Sequence, residues 1–152
     1  LVYPRAFLAG EYKTYDSIES FEKQFFADSF DPRQTILLPD AVQDIRLSKA
    51  TNATATIISY KPEEIIIKTE SDAQQLLFLS DAYAPGWIAS VDELETNVYL
   101  ADYAFRAVIV PRGTHTVRFT YKPLSITIGI IGTAIGVLLI SLLFLFKRRK
   151  QK

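Results

Sequence analysis

An uncharged run of 23 residues, Leu124–Phe146, lies close to the end of the chain. As an α-helix rising about 1.5 Å per residue it spans roughly 34 Å, enough to cross a hydrocarbon core of about 30 Å. Pro123 suits the first turn of such a helix, where a missing N–H costs nothing. A buried helix of a soluble protein would need a large surrounding body to cover it. The run therefore predicts a transmembrane helix over residues 123–146.

The charges on either side of this run predict its orientation. Five of the 17 basic residues lie in the short tail 147–152, and basic flanks stay cytoplasmic, close to anionic membrane lipids. Residues 1–122 carry all 17 acidic residues and the other 12 basic ones, a net charge of 12 − 17 = −5. Such an acidic body argues against nucleic acid as a partner. We expect a membrane protein with residues 1–122 extracytoplasmic and the tail cytoplasmic.

Small residues follow one face of the predicted helix. Ser125, Gly129, Gly132 and Gly136 are spaced by four, three and four positions, and the last two form a GxxxG motif. Small side chains let a second helix backbone approach closely in lipid. The stripe therefore favours packing against the remaining transmembrane helices of a larger parent protein.

The region before the helix has the pattern of a β domain. Asp16 and Glu19 resemble a capping box and predict a helix through about Asp28, which Pro32 follows. After it come short apolar or alternating runs separated by Pro and Gly turns. The predicted strands are Thr35–Leu38, Ala55–Tyr60, Ile65–Thr69, Leu76–Ser80, Trp87–Val91, Val98–Ala101, Phe105–Val110 and Thr116–Tyr121. This pattern predicts a mainly β fold, a β-sandwich or jelly-roll-like domain over residues 1–122 with one short N-terminal helix.

Composition limits the chemistry that this chain can perform. It has no cysteine and one histidine, His115, so it offers no disulfide framework, cysteine metal site or multi-histidine site. Ser80, Asp81 and His115 lack a nucleophile-elbow motif, and no other catalytic set stands out. We therefore predict no catalytic residue, no metal and no cofactor here. The chain has no methionine and Leu1 opens on strand-like sequence, so we expect it to be a piece of a longer polypeptide.

The segment around Trp87, the one tryptophan, has two readings. Aromatic rings bind sugar faces, so Asp81, Tyr83, Trp87 and Tyr103 are candidate contacts for a glycan or an acceptor. The same residue types also fill sandwich cores, and we favour that structural role for Trp87.

Arg106 lies in an apolar strand and requires a carboxylate, because an unpaired buried charge is costly. Asp81 and Asp102 are both candidates for this carboxylate. We assign Arg106 and Asp102 as a structural ion pair.

Several short motifs occur in an order that resembles a known family. They are Arg5–Leu8 (RAFL), Phe30–Arg33 (FDPR), Ser80–Trp87 (SDAYAPGW), Val91–Asp92, Tyr103–Val108 (YAFRAV), Pro111–Gly113 and His115–Pro123 (HTVRFTYKP). Together they resemble the C-terminal end of bacterial YfhO-family membrane proteins. Two positions depart from the family pattern. Asp92 is followed by Glu93 where the family has Gly, so we expect a different hairpin turn. Asp102 replaces a usual Asn and adds a charge beside Arg106.

The resemblance implies a polytopic protein of the bacterial plasma membrane, similar to GT-C glycosyltransferases. Such enzymes use polyprenyl-phosphate sugars to modify envelope polymers or lipids outside the cell. In such enzymes the catalytic carboxylates lie in early outer loops, so this region would be an accessory domain and anchor. Its partners would be the parent's other helices, a polyprenyl-phosphate sugar or an envelope glycan acceptor. The alternative is a single-pass, membrane-anchored carbohydrate-binding or adhesion module without enzymatic activity.

Overall fold

Strands and two helices account for most of the chain in a computed structural model, which describes residues 4–40, 42 and 45–149. Side chains are described up to residue 141, apart from that of residue 127. The side chains of the predicted basic tail and the first three residues therefore lie outside the described part of the chain. The elements are β1 (Ala6–Ala9), β2 (Glu11–Tyr15), α1 (Ile18–Phe25), β3 (Thr35–Pro39), β4 (Ala53–Tyr60), β5 (Glu64–Ser71), β6 (Gln75–Leu79), β7 (Trp87–Val91), β8 (Leu94–Thr96), β9 (Tyr99–Ala101), β10 (Phe105–Val110), β11 (Gly113–Tyr121) and α2 (Leu124–Arg149). They form two units, residues 1–121 and 122–152.

Two antiparallel sheets make up most of the first unit. One has the strand order β1-β6-β10-β9 and the other has the order β4-β5-β11-β7-β8. Inward-facing residues of both sheets join one apolar core, in which β11 contributes the fully buried Val117 and Phe119 between more exposed neighbours. The remaining buried members of this core are Ala6, Ile65, Ile67, Leu77, Leu79, Ala89, Val91, Val108 and Val110. This arrangement confirms the predicted mainly β, sandwich-like fold.

The four-stranded sheet is covered on its other face as well. Strands β2 and β3 pair in parallel, joined through α1, and Ile36 and Leu38 of β3 pack in a second core with Leu76 and Phe78 of β6. All five residues of β6 are therefore buried. A strand covered on both faces has a continuous apolar pattern, as QLLFL does.

Helix α1 is shorter than the capping box predicted, and its N-cap is one residue later. Ser17, not Asp16, caps it by accepting a hydrogen bond from the Ser20 N–H at 3.2 Å. The helix ends at Phe25 rather than near Asp28. Phe26 is its C-cap, and the Phe26 N–H donates to Glu22 O at 3.0 Å. No residue of α1 is fully buried.

The hairpin between β7 and β8 has the turn that the sequence argued against. Val91 pairs with Leu94 across a two-residue loop, and Asp92 and Glu93 have φ of 48° and 70°. Positive φ at both central residues is the signature of a type I′ turn, which usually contains Asn-Gly or Asp-Gly. The expectation of a different turn was wrong: Glu93 adopts the backbone conformation that a glycine would favour.

The second unit contains α2. Leu124–Ser141 has a mean hydropathy of 2.2 over 18 residues and is long and apolar enough to cross a membrane. Gly129 and Gly132 are exposed and Gly136 is half-buried, and a Cβ atom added at any of them would meet nothing within 4 Å. The helix continues to Arg149, three residues beyond its predicted end at Phe146.

Candidate functional site

One end of the β domain gathers charged and aromatic side chains. Tyr121 ends β11 and is the registered partner of Trp87, which begins β7, while Tyr60 ends β4. In the other sheet, Arg106 and Leu79 are registered partners, so Asp81 follows β6 at this same end. We call Arg5, Tyr60, Asp81, Trp87, Arg106 and Tyr121 the Arg106 cluster.

The guanidinium of Arg106 is held by one carboxylate and two aromatic rings. Its Nη2 donates to Asp81 Oδ2 at 3.2 Å, and its Cζ lies 3.9 Å from the ring centroid of Trp87 and 5.4 Å from that of Phe119. The residue is only 2% exposed. Burial lowers the pKa of Arg106, and the charge of Asp81 opposes that shift. An arginine so placed remains protonated at neutral pH.

Asp81 interacts with three side chains, two through hydrogen bonds and one through an ion pair. Its Oδ2 also accepts the Tyr60 hydroxyl at 3.0 Å, and its Oδ1 lies 3.7 Å from Arg5 Nε. The Arg5 guanidinium stacks over the Tyr60 ring at 4.6 Å. Burial, followed by the bond to Asp81, raises the pKa of Tyr60. The phenol therefore acts as a donor to Asp81 across the physiological pH range.

Two nitrogens of Arg106, Nε and Nη1, are buried and have no hydrogen-bond partner within the described residues. Buried polar groups usually have a partner. The ring faces of Trp87 and Phe119 supply part of the missing stabilisation through cation–π contact. Since Arg106 belongs to one sheet and both rings belong to the other, these contacts join the two sheets at this end.

The structure separates the four candidate sugar contacts. Asp81 and Trp87 both contact Arg106. Tyr83 is 43% exposed, and its backbone N–H donates to Ala104 O at 2.7 Å. The ring of Tyr103 instead lies 5.5 Å from Phe21 and 6.3 Å from Tyr15, on α1 and β2. Trp87 is partly buried and packs against the sandwich core, with the Tyr121 ring 5.2 Å away.

The ion pair assigned between Arg106 and Asp102 is not formed. Arg106 pairs with Asp81, the other carboxylate considered, and Asp102 Oδ1 accepts the Leu37 backbone N–H at 2.8 Å. Asp102 begins a turn with positive φ at both Asp102 and Tyr103, and this turn directs its carboxylate toward β3 instead of β6. Sequence spacing alone did not reveal that geometry.

Asp102 is a buried carboxylate for which the described residues provide no ion-pair partner. It is 7% exposed and belongs to none of the ion pairs formed by the described residues. Burial raises the pKa of Asp102 to about 6, and the bond from Leu37 N–H only partly opposes the shift.

Asp102 also lines an aromatic cavity of about 240 Å³ on the outer side of the four-stranded sheet. Its other lining residues are Pro4, Phe7, Phe25, Pro32, Phe78, Ser80 and Phe105. We call this cavity the phenylalanine groove. The Phe78 ring stacks on Phe7 at 4.8 Å and meets Phe105 edge-on at 5.4 Å, so the wall is continuous.

Sequence reasoning did not select this groove or the roles of Arg5 and Tyr60. Arg5 stands in one of the ordered motifs, which was the available signal. The four phenylalanines come from β1, α1, β6 and β10, so only the folded chain brings them together.

The comparison with known families agrees with the length and apolar composition of α2. A family model described as "Bacterial membrane protein YfhO" matches residues 40–133, which run from the end of β3 into α2. The chain belongs to the YfhO family. Neither a curated protein nor a solved structure matches it. The YfhO match begins after Arg5–Leu8 and Phe30–Arg33, so the resemblance in those two motifs extends beyond the matched residues.

YfhO-family membership and α2 together establish that this is a membrane protein. Among the described residues, no group of three or more His, Cys, Asp and Glu side chains is arranged to hold a metal ion. His115 is engaged structurally: its Nδ1 lies 2.6 Å from Asp92 Oδ2 and its Nε2 lies 3.1 Å from Arg112 O.

Proposed function

We propose that this chain is the C-terminal accessory domain and membrane anchor of a polytopic YfhO-family protein, which transfers sugar from a polyprenyl-phosphate carrier to an envelope polymer or lipid. The family match is the observation that carries the proposal. The catalytic carboxylates would belong to outer loops elsewhere in the parent protein. The β domain would steady the acceptor or the catalytic half.

The Arg106 cluster supports a structural role for most of the candidate sugar contacts. Both charged residues at its centre are already paired, and the Arg106 guanidinium occupies a face of the Trp87 ring. An acceptor contact would then come from the exposed Tyr83 and from the residues that precede Pro85.

Disruption of the full-length gene tests the transferase proposal. We expect the envelope polymers of the mutant strain to lose a glycosyl substituent, detected by mass spectrometry of purified polymers, and the intact gene to restore it. A second complementation uses a gene truncated before Leu1, which lacks this chain but keeps the upstream loops proposed to carry the catalytic carboxylates. We expect this gene to restore glycosylation only in part, because the accessory domain and anchor are missing. A polymer profile unchanged by complete disruption would exclude the transferase role and leave the binding or adhesion module as the better reading.

The exposed small-residue face of α2 supports docking onto other helices of the parent. Gly132→Leu fills a position where an added Cβ now meets open space, so it should block close helix approach. We expect the variant to co-purify less with the upstream half in a split-protein pull-down. Leu139→Ile, off the stripe, is the matched control; equal recovery of the two variants would mean that the stripe makes no contact.

A further inference from the structure

The phenylalanine groove combines apolar walls with a carboxylate, Asp102, that forms no ion pair among the described residues. Asp102 Oδ1 takes the Leu37 N–H, whereas Oδ2 has no donor among the described residues. A carboxylate that is largely removed from water is costly unless an opposite charge lies near it. Asp102 is one of the residues that line the groove, so a cation bound there can supply that charge.

We propose that the phenylalanine groove binds a small organic ammonium group, with the Phe rings around the cation and Asp102 as its counter-charge. Ring faces attract cations, and surrounding aromatic residues are a common way to bind an ammonium group. Phe7, Phe78 and Phe105 form a continuous wall, and Phe25 adds a ring from α1. The site lies apart from the Arg106 cluster and does not depend on the proposed transferase role.

Other ligand classes fit this groove less well. A hard metal ion needs several oxygen ligands, and the lining offers one carboxylate and the Ser80 hydroxyl. A sugar has many hydroxyls, which need more polar partners than these two side chains provide. A hydrocarbon chain would match the rings but would bury the Asp102 carboxylate without a donor. An ammonium group alone uses both the rings and the charge.

The test uses choline as the probe and 3,3-dimethyl-1-butanol as its uncharged isostere of similar shape. Both are titrated into the 152-residue chain in maltoside micelles, because phosphocholine detergents would themselves carry the ammonium group. Binding is followed by the NMR shifts of the phenylalanine ring protons. We expect choline to saturate with a dissociation constant of roughly 1 mM or tighter, and the isostere to bind at least about tenfold more weakly.

Two substitutions with the same charge change sharpen the result. Asp102→Asn should weaken choline binding by about tenfold or more, because it removes the counter-charge of a quaternary ammonium that has no N–H to donate. Asp92→Asn, at a second turn residue with positive φ but outside the groove, should leave it unchanged. Phe105→Leu keeps apolar bulk but removes a ring, and should weaken choline binding more than isostere binding.

Several outcomes would overturn the proposal. Equal affinity for choline and its isostere in the unsubstituted chain would show an apolar groove without charge recognition. Absence of saturable choline binding would remove the ammonium site altogether. Unchanged affinity in a folded Asp102→Asn variant would remove Asp102 from it. The isostere comparison needs no variant, so it stands even if Asp102→Asn fails to fold.

Discussion

Arg106 is among the most buried large side chains of the domain, and its environment explains how a charge is accommodated there. One carboxylate neutralises it, and the rings of Trp87 and Phe119 lie over the guanidinium. Arginine suits such a position better than lysine because its planar, weakly hydrated group stacks on rings. Trp87 is therefore coupled to Arg106, and its energetic role follows from that contact.

Truncation of Trp87 measures this coupling. Trp87→Ala removes the ring that covers Arg106 and packs against the core, so we expect a loss of about 2–4 kcal/mol in the free energy of unfolding. Trp87→Phe keeps a ring and should lose less. Thermal and denaturant unfolding of the chain in maltoside micelles, followed by circular dichroism, makes the measurement. A Trp87→Ala variant that melts with the parent would restore Trp87 as a sugar platform.

Arg106→Leu is the control for that experiment. The substitution leaves Asp81 with Tyr60 and Arg5 as partners, so we expect a smaller penalty than for a fully orphaned charge, about 2–3 kcal/mol. This loss should appear whichever role Trp87 has. Its absence would mean that the assay does not report on the packing of this end of the domain.

Asp102 predicts a pH dependence of stability that one substitution removes. Its pKa rises from 3.8 to about 6 on folding, so between these pH values the folded chain holds a proton that the unfolded chain has released. Stability then falls as pH rises from about 4 to about 6, by roughly 2–3 kcal/mol in total. Asn in its place can still accept the Leu37 N–H and tolerates positive φ.

We therefore expect Asp102→Asn to be more stable than the parent at pH 7 and to differ little from it below pH 4. Denaturant unfolding at a series of pH values gives the comparison, and taking the difference between variants cancels the titration of other groups such as the His115–Asp92 pair. If Asp102→Asn is less stable than the parent at pH 7, Asp102 has a cationic partner in solution.

At the scale of single elements, the β7–β8 hairpin stores conformational strain in its turn. Glu93 is exposed and has φ of 70°, a conformation that is costly for a residue with a Cβ and free for glycine. Glu93→Gly should stabilise the chain by about 1 kcal/mol, because the relieved strain exceeds the added flexibility of the unfolded chain. The measurement is the denaturant midpoint.

Glu95→Gly provides a matched control in the same hairpin. Glu95 is also exposed but lies within β8, where glycine weakens a strand, so this variant should be less stable than the parent. Both substitutions remove one negative charge, which leaves backbone conformation as the difference between them. Destabilisation by both would mean that the turn does not hold Glu93 at positive φ in solution.

The sequence predicted those elements whose ends are marked by nearby turn residues along the chain. Strands β7 and β10 have their predicted bounds because Pro-Gly and Pro-Arg-Gly turns delimit apolar runs. The short β8 was missed because a Glu occupies the turn position where glycine usually marks a hairpin. The pairing of β2 with β3 was also missed, since parallel pairing is non-local and depends on α1 to join the strands. For the same reason the phenylalanine groove and the partner of Arg106 emerged only from the fold.

At the scale of the whole molecule, the two units have opposite surface chemistry. The β domain buries its apolar residues in two cores, whereas the described side chains of α2 leave most of its large apolar residues exposed. Such a helix is stable in lipid or against other apolar helices. The family match, over residues 40–133, extends from the β domain into α2 and so includes parts of both units.

The orientation of that combination is the final prediction. The acidic β domain and the basic residues after Phe146 predict that residues 1–122 face outward and that the tail faces the cytoplasm. The 152 residues contain no cysteine, so a single introduced cysteine is the only thiol among them. Any cysteine elsewhere in the full-length gene product is first replaced, so that labelling reports only the introduced position. Thr54, on an exposed position of β4, and Gln151, in the tail, serve as the two sites.

In intact cells, a Thr54→Cys variant should react with a membrane-impermeant maleimide and a Gln151→Cys variant should not. Permeabilised cells should label both, which shows that each thiol is reactive. Reversed labelling in intact cells would place the β domain in the cytoplasm and away from any extracytoplasmic acceptor, which would also contradict the transferase proposal. Labelling of both sites in intact cells would mean that α2 does not cross the membrane, because a crossing helix leaves one end shielded.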